Sequence, residues 1–239
     1  MIKKHIPNII TSINLILGFL ASIIAFYNIT FACYLIFISL ILDFFDGFLA
    51  RMLKAQSEFG KQMDSLSDLV SFGVAPAIIL YLLILRSEFL PLITIGDIYV
   101  APFIVVILPL FAALRLAKFN ILNDQSGFVG LPTPASAFFI ISLPLIENTS
   151  VEYLSWMPSV IMNFYFLAGV ILVLSFLMVS NIKMLKLKLN FAQLKSSWIE
   201  FLLIVLFLIF LFLFEYISIP FIVIIYILLS LFQPTKMNN

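Results

Sequence analysis

The chain has 239 residues, of which 64% are hydrophobic and only 10% charged, with 27 Phe and a formal net charge of +1; its mean hydropathy is +1.21. A soluble domain carries roughly one-quarter charged residues, so a water-soluble fold is excluded and an integral membrane protein is expected. The single Cys33 excludes an intrachain disulfide and reads as plain packing, and the single His5 excludes chemistry that needs a pair of histidines.

Apolar stretches at 9–27, 29–50, 66–86, 98–118, 132–147, 157–181, 197–214 and 217–233 read as membrane-spanning helices. Most are about 18 to 22 residues long and separated by short polar turns, which suits helices across a ~30 Å hydrocarbon core better than barrel strands. With the N-terminus in the cytoplasm, every Lys and Arg except Arg86 falls at a cytoplasmic end, while Glu88, Asp97, Glu147, Glu152 and Glu215 fall on outer turns. That asymmetry supports an even number of spans. The expected fold is an all-α membrane protein, a polytopic helical bundle of about eight transmembrane helices with both termini cytoplasmic. The first apolar stretch follows Lys3 and Lys4 and runs a full span without a small-residue cleavage site, so no cleavable leader is expected.

In the first span Pro7 and Asn8 stop a helix from starting earlier. Thr11, Ser12 and Asn14 then add polar groups at its cytoplasmic end, either as interfacial hydrogen-bonders or as the lining of a headgroup site. The second and third spans bound the stretch DFFDGFLARMLKAQSEFGKQMDSLSD, which carries four carboxylates in an otherwise oily chain. Asp43 and Asp46 are three apart and Asp64 and Asp68 four apart, so each pair lies on one helical face. From Thr30 to Asp43 is about 20 Å of helix, and from Arg86 back to Asp68 about 27 Å, so both pairs converge near lipid-phosphate level on the cytoplasmic side. Bare negative charges there repel one another and resist burial; protonation, water or bound cations must compensate them. Clustered oxygens of this kind suit Mg²⁺ or Mn²⁺ better than a soft metal. Gly47 and Ala50 continue the stripe of Asp43, leaving room for a close approach, and Arg51 offers a fork of donors to a phosphate.

After Asp68, Ser71, Gly73 and Pro76 loosen an apolar helix. The fourth span ends in LRLAKFN, with Arg115, Lys118 and Asn120 at the cytoplasmic face, and the fifth opens after GFVGLPTPASA. This basic cluster either anchors a helix end to anionic headgroups or holds an anionic group such as the carboxylate of an amino-acid substrate. Residues 181–195, NIKMLKLKLNFAQLK, read as a cytoplasmic linker on the membrane surface. The last two spans carry no visible chemistry, and the glycosylation pattern at Asn148-Thr-Ser150 is frequent by chance.

The pattern Asp43-x2-Asp46-Gly47-x2-Ala50-Arg51-x8-Gly60-x3-Asp64-x3-Asp68 resembles the complete signature of the CDP-alcohol phosphatidyltransferases. The surrounding FGKQMDSLSDLVSFGVAPA, LRLAKFN, GLPTPASA and the IPN opening resemble the phosphatidylserine synthase branch of that family, with Lys118 where that branch leads one to expect Arg. The resemblance implies a catalytic bundle over 1–180, followed over 181–239 by the basic linker and two further spans. It implies CDP-diacylglycerol and L-serine as substrates and two divalent ions, Mg²⁺ or Mn²⁺, held by Asp43, Asp46, Asp64 and Asp68. Asp68 would be the general base; Pro7, Asn8, Asp46, Gly47, Arg51, Ser57 and Gly60 would cradle the CDP-diacylglycerol; Arg115, Lys118 and Asn120 would meet the serine. A homodimer in a bacterial inner membrane is expected, its site facing the cytoplasm, with membrane lipid but no nucleic acid as partner. The rival readings are another acceptor, inositol phosphate or glycerol phosphate, and an ion-coupled transporter, which would place its acids near the bilayer midplane.

Overall fold

The structure is a computed structural model that describes residues 5–121, 129–146, 156–184 and 215–231. The first helix, α1 (Ile6–Ile24), carries Pro7 in its first turn, where a missing N–H costs no intrahelical bond. The next, α2 (Ile29–Met52), starts where the Asn28 side chain accepts from the Phe31 N–H at 2.9 Å. Its 24 residues rise about 36 Å, more than a bilayer core, so its last turns reach headgroup depth.

Helix α3 (Glu58–Asp68) begins well before the expected span at 66, because Ser57 caps it by accepting from the Gly60 N–H at 3.0 Å. The path then widens into a π turn over Leu69–Val74 and continues as α4 (Ala75–Leu85). Pro76 has no N–H to return to the turn below it, and the Ala75 N–H bonds to the Val70 carbonyl five residues back. The loosening expected from Ser71, Gly73 and Pro76 is thus a single wide turn directly after Asp68.

A small hairpin follows, β1 (Thr94–Ile95) paired antiparallel with β2 (Ile98–Tyr99), an element the apolar pattern did not predict. A 3₁₀ segment, Ala101–Val106, leads into α5 (Ile107–Ile121). Next come α6 (Thr133–Ile146), the short α7 (Met157–Ile161), α8 (Phe164–Val179) and α9 (Ser218–Leu231). The expected span at 157–181 is interrupted at Asn163, whose extended backbone lets its side chain accept from the Tyr165 N–H at 2.9 Å and start α8 afresh. The span expected at 197–214, most of the linker, the Asn148-Thr-Ser150 pattern, and Lys3 and Lys4 lie outside the described residues.

Among the described residues four helical stretches are long and apolar enough to cross a membrane: Ile6–Ile24, Ile29–Met52, Glu58–Leu85 and Ala101–Ile121. The apolar helices α6, α8 and α9 are shorter, at 14, 16 and 14 described residues.

Helix α1 is wedged between α2 on one side and α3 with the π turn on the other. A polar seam holds the wedge: Ser67 Oγ donates to the Thr11 carbonyl at 3.2 Å, and Ser71 Oγ and Ser39 Oγ donate to the Asn14 carbonyl at 3.0 and 3.1 Å. At Gly18 the backbone of the π turn comes so close that a Cβ would run into Ser71. Gly18→Ala is therefore expected to cost about 1–3 kcal/mol of stability, read as a lower melting temperature in detergent. Gly169→Ala, where a Cβ meets nothing within 4 Å, should not lower it.

Candidate active site

The wedge fixes where the acids meet, because α2 and α3 both pack on α1 with their acid-bearing turns at the same end. One carboxylate oxygen from each of Asp43, Asp64 and Asp68 lies within 4.8 Å of the others. Asp43 and Asp64 are half-buried and Asp68 is buried. Carboxylates this close approach one another only when a shared proton or a cation lies between them. Asp68 Oδ1 is buried with no hydrogen-bond partner, and an orphaned acceptor of that kind costs about 1–3 kcal/mol or more. Three converging carboxylates with an unused buried oxygen fit a hard, oxygen-seeking cation such as Mg²⁺ or Mn²⁺.

Asp46 stands apart from this trio. It is buried one turn further along α2, where its Oδ2 accepts from Thr11 Oγ1 at 2.7 Å. Its charge still reaches Asp43 and Asp64. Thr11 Oγ1 also lies 3.0 Å from the Pro7 carbonyl, so the start of α1 sets the orientation of this fourth acid.

The first turns of α1 and α3 meet beside the acids. A Cβ on Gly60 would stand 3.1 Å from Asn8 Oδ1 and 3.1 Å from Ser57 Oγ, so Asn8, Ser57 and Gly60 form one tight corner next to Pro7. Gly47 faces open space on α2, with nothing within 4 Å of a Cβ. Arg51 is exposed on the last turn of α2, and its guanidinium makes no hydrogen bond or ion pair among the described residues.

The basic cluster of α5 divides. Arg115 is buried, donates from one terminal nitrogen to Thr133 Oγ1 at 3.1 Å, and exerts its charge on Asp68 and Asp43. Lys118 is exposed and donates to Asn181 Oδ1 at 2.9 Å, beyond the end of α8. Asn120 turns to α3: its Nδ2 donates to Ser65 Oγ at 2.9 Å and its carbonyl accepts from Lys61 Nζ at 3.2 Å. Of the three residues expected to meet an acceptor, Arg115 stands within electrostatic reach of the acids, while the other two clamp α5 to its neighbours.

Three of the four signature acids thus converge where α2 and α3 pack on α1, and residues 4–233 match the profile of the CDP-alcohol phosphatidyltransferase family. The chain belongs to that family. This phosphatidyltransferase is similar to the CDP-diacylglycerol--serine O-phosphatidyltransferase of Helicobacter pylori, with 34% identity over 206 residues, 84% of this chain and 79% of that one. It is 37% identical to the protein of the same name from Bacillus subtilis over 151 residues, 61% of this chain and 78% of that one. An archaetidylserine synthase of Methanothermobacter thermautotrophicus is 35% identical over 144 residues, 59% of this chain and 58% of that one. Membership and the four long apolar helices make it an integral membrane enzyme.

Thr133 and Tyr226 were not singled out in the sequence of this phosphatidyltransferase, although both lie close enough to act on Arg115. Each sits on a different helix from the signature, so no spacing links it to the acids. The one available signal was chemical, a hydroxyl in an otherwise apolar segment.

Proposed function

We propose that the protein transfers the phosphatidyl group of CDP-diacylglycerol to the hydroxyl of L-serine, giving phosphatidylserine and CMP. The observation that carries this reading is the buried Arg115 beside the Asp43, Asp64 and Asp68 cluster, a cation suited to an acceptor carboxylate next to a site suited to a phosphate. The names of the relatives agree with it.

Asp43, Asp46, Asp64 and Asp68 would hold the divalent ions, Mg²⁺ or Mn²⁺, and such ions neutralise phosphate charge and stabilise a phosphate leaving group. Asn8, Ser57 and Gly60, which meet at one corner beside Pro7, together with Gly47, whose Cβ position is open, form the cradle for the cytidine and its phosphates. Arg51, with its unengaged guanidinium, supplies a fork of donors to the same pyrophosphate. Asp68 takes the proton from the serine hydroxyl as its oxygen attacks the lipid-side phosphorus; the bond from that phosphorus to the CMP oxygen breaks, and CMP departs with the electron pair. A carboxylate has two oxygens, one for a shared ion and one for that proton. Arg115 receives the serine carboxylate, and Lys118 and Asn120 keep α5 in register with α8 and α3. The site faces the cytoplasm, on the basic side of the bundle, and the catalytic bundle spans 1–180.

Purified protein in detergent, given CDP-diacylglycerol, Mn²⁺ and labelled serine, inositol phosphate or glycerol phosphate in separate reactions, tests this. Labelled lipid and CMP should form with serine alone. Product from one of the phosphorylated alcohols instead would overturn the acceptor, and CMP release where no gradient exists would dispose of transport as the purpose of the acids.

A further inference from the structure

Arg115 poses a packing problem. Only 8% of it is exposed, its Nε is buried without a partner, and a guanidinium left this way in a membrane protein is costly unless anions surround it. Asp43 and Asp68 supply part of that charge from one direction. Thr133, fully buried at the first residue of α6 and flanked by Pro132 and Pro134, receives one terminal nitrogen at 3.1 Å. Because those prolines restrict the backbone, the Thr133 hydroxyl is a fixed point rather than an adaptable one.

We infer that Thr133 of α6 is a positioning residue of the acceptor site: it holds one terminal nitrogen of the Arg115 guanidinium and so fixes the plane that would meet the carboxylate of an amino-acid acceptor. The inference rests on the reading that the acceptor is an amino acid. A guanidinium binds a carboxylate through two parallel donors only when its plane is fixed, so loosening Arg115 should weaken acceptor binding without touching the nucleotide side.

Steady-state kinetics of the purified full-length protein in detergent, with serine and CDP-diacylglycerol varied in turn, test it. Thr133→Val should raise KM for serine by about tenfold or more, the worth of a hydrogen bond to a charged group. In that variant kcat and KM for CDP-diacylglycerol should stay within about twofold of the parental values, and Thr133→Ser, which keeps the hydroxyl, should restore KM for serine. An unchanged KM for serine in folded Thr133→Val overturns the inference, as does a rise in both KM values together or a failure of Thr133→Ser to rescue. Parental protein that made product only from a non-carboxylate acceptor would overturn the proposed function and this inference with it, whereas parental serine activity with insensitive variants overturns the inference alone.

Discussion

Asp68→Asn should lower phosphatidyl transfer by about 100- to 10,000-fold, the usual worth of a general base, while the purified protein still binds CMP. The substitution keeps the shape of the side chain and removes its ability to accept the serine proton. Asp68 is buried against Asp43 and keeps Oδ1 free of partners, so no water-exposed group stands ready to replace it. An amide at this position also relieves the crowding of carboxylates, so the folded protein should be no less stable than its parent. Parental turnover in a correctly folded Asp68→Asn protein would show that the proton leaves by another route. Loss of CMP binding along with turnover would place Asp68 in the nucleotide site instead.

Stripping divalent ions with EDTA should abolish turnover, and Mn²⁺ or Mg²⁺ should restore it. Groups that merely orient a ligand are worth about 10- to 100-fold in metal affinity, so losing a direct ligand should cost more. Asp43→Asn is therefore expected to raise the Mn²⁺ concentration needed for half-maximal activity by more than that range. The prediction is sharpest at Asp43 because its carboxylate lies within 4.8 Å of both Asp64 and Asp68, the latter buried, so it cannot remain charged alone. Full activity after exhaustive chelation, or an unshifted Mn²⁺ requirement in Asp43→Asn, would rule out a shared cation as the reason for the cluster.

Much of this arrangement was readable from the residues, because a carboxylate in an apolar chain needs a reason and four within one short stretch leave few. The bounds of α1 and α2 followed from apolar runs closed by Asn28 and Arg51, and the basic end of α5 marked where that helix stops, but the expected start at 98 falls in the hairpin, with a 3₁₀ segment before Ile107. The start of α3 did not, since Glu58 to Ser65 is polar and the helix there is nucleated by a Ser57 cap rather than by hydrophobicity. The break at Asn163 was hidden for the opposite reason, a single polar residue inside a greasy run.

Within the site, periodicity says which residues share a face of one helix and nothing of how two helices are rotated against each other. That rotation depends on the α1 wedge, and it decides that Asp43, Asp64 and Asp68 meet while Asp46 is taken by Thr11. Thr11 and Asn14 had two readings, surface hydrogen-bonders or site lining. The structure buries both, Thr11 on an acid and Asn14 within the seam that fastens three helices. Lys118 and Asn120 looked equivalent to Arg115 by position in LRLAKFN, and only the neighbouring Asn181 and Ser65 divide their tasks.

The wide turn at Leu69–Val74 gives one continuous rod two rotational phases. Upstream, Asp64 and Asp68 keep step with α2; downstream, Ile79, Leu80, Leu83 and Ile84 keep step with the greasy interior, each almost wholly enclosed. In a regular α-helix these phases would be locked, and gaining or losing a residue in either half would swing the other by about 100°. By slipping one hydrogen-bond register, the rod lets its oily half follow the packed interior and its acidic half follow the acids of α2, so neither dictates the other's geometry.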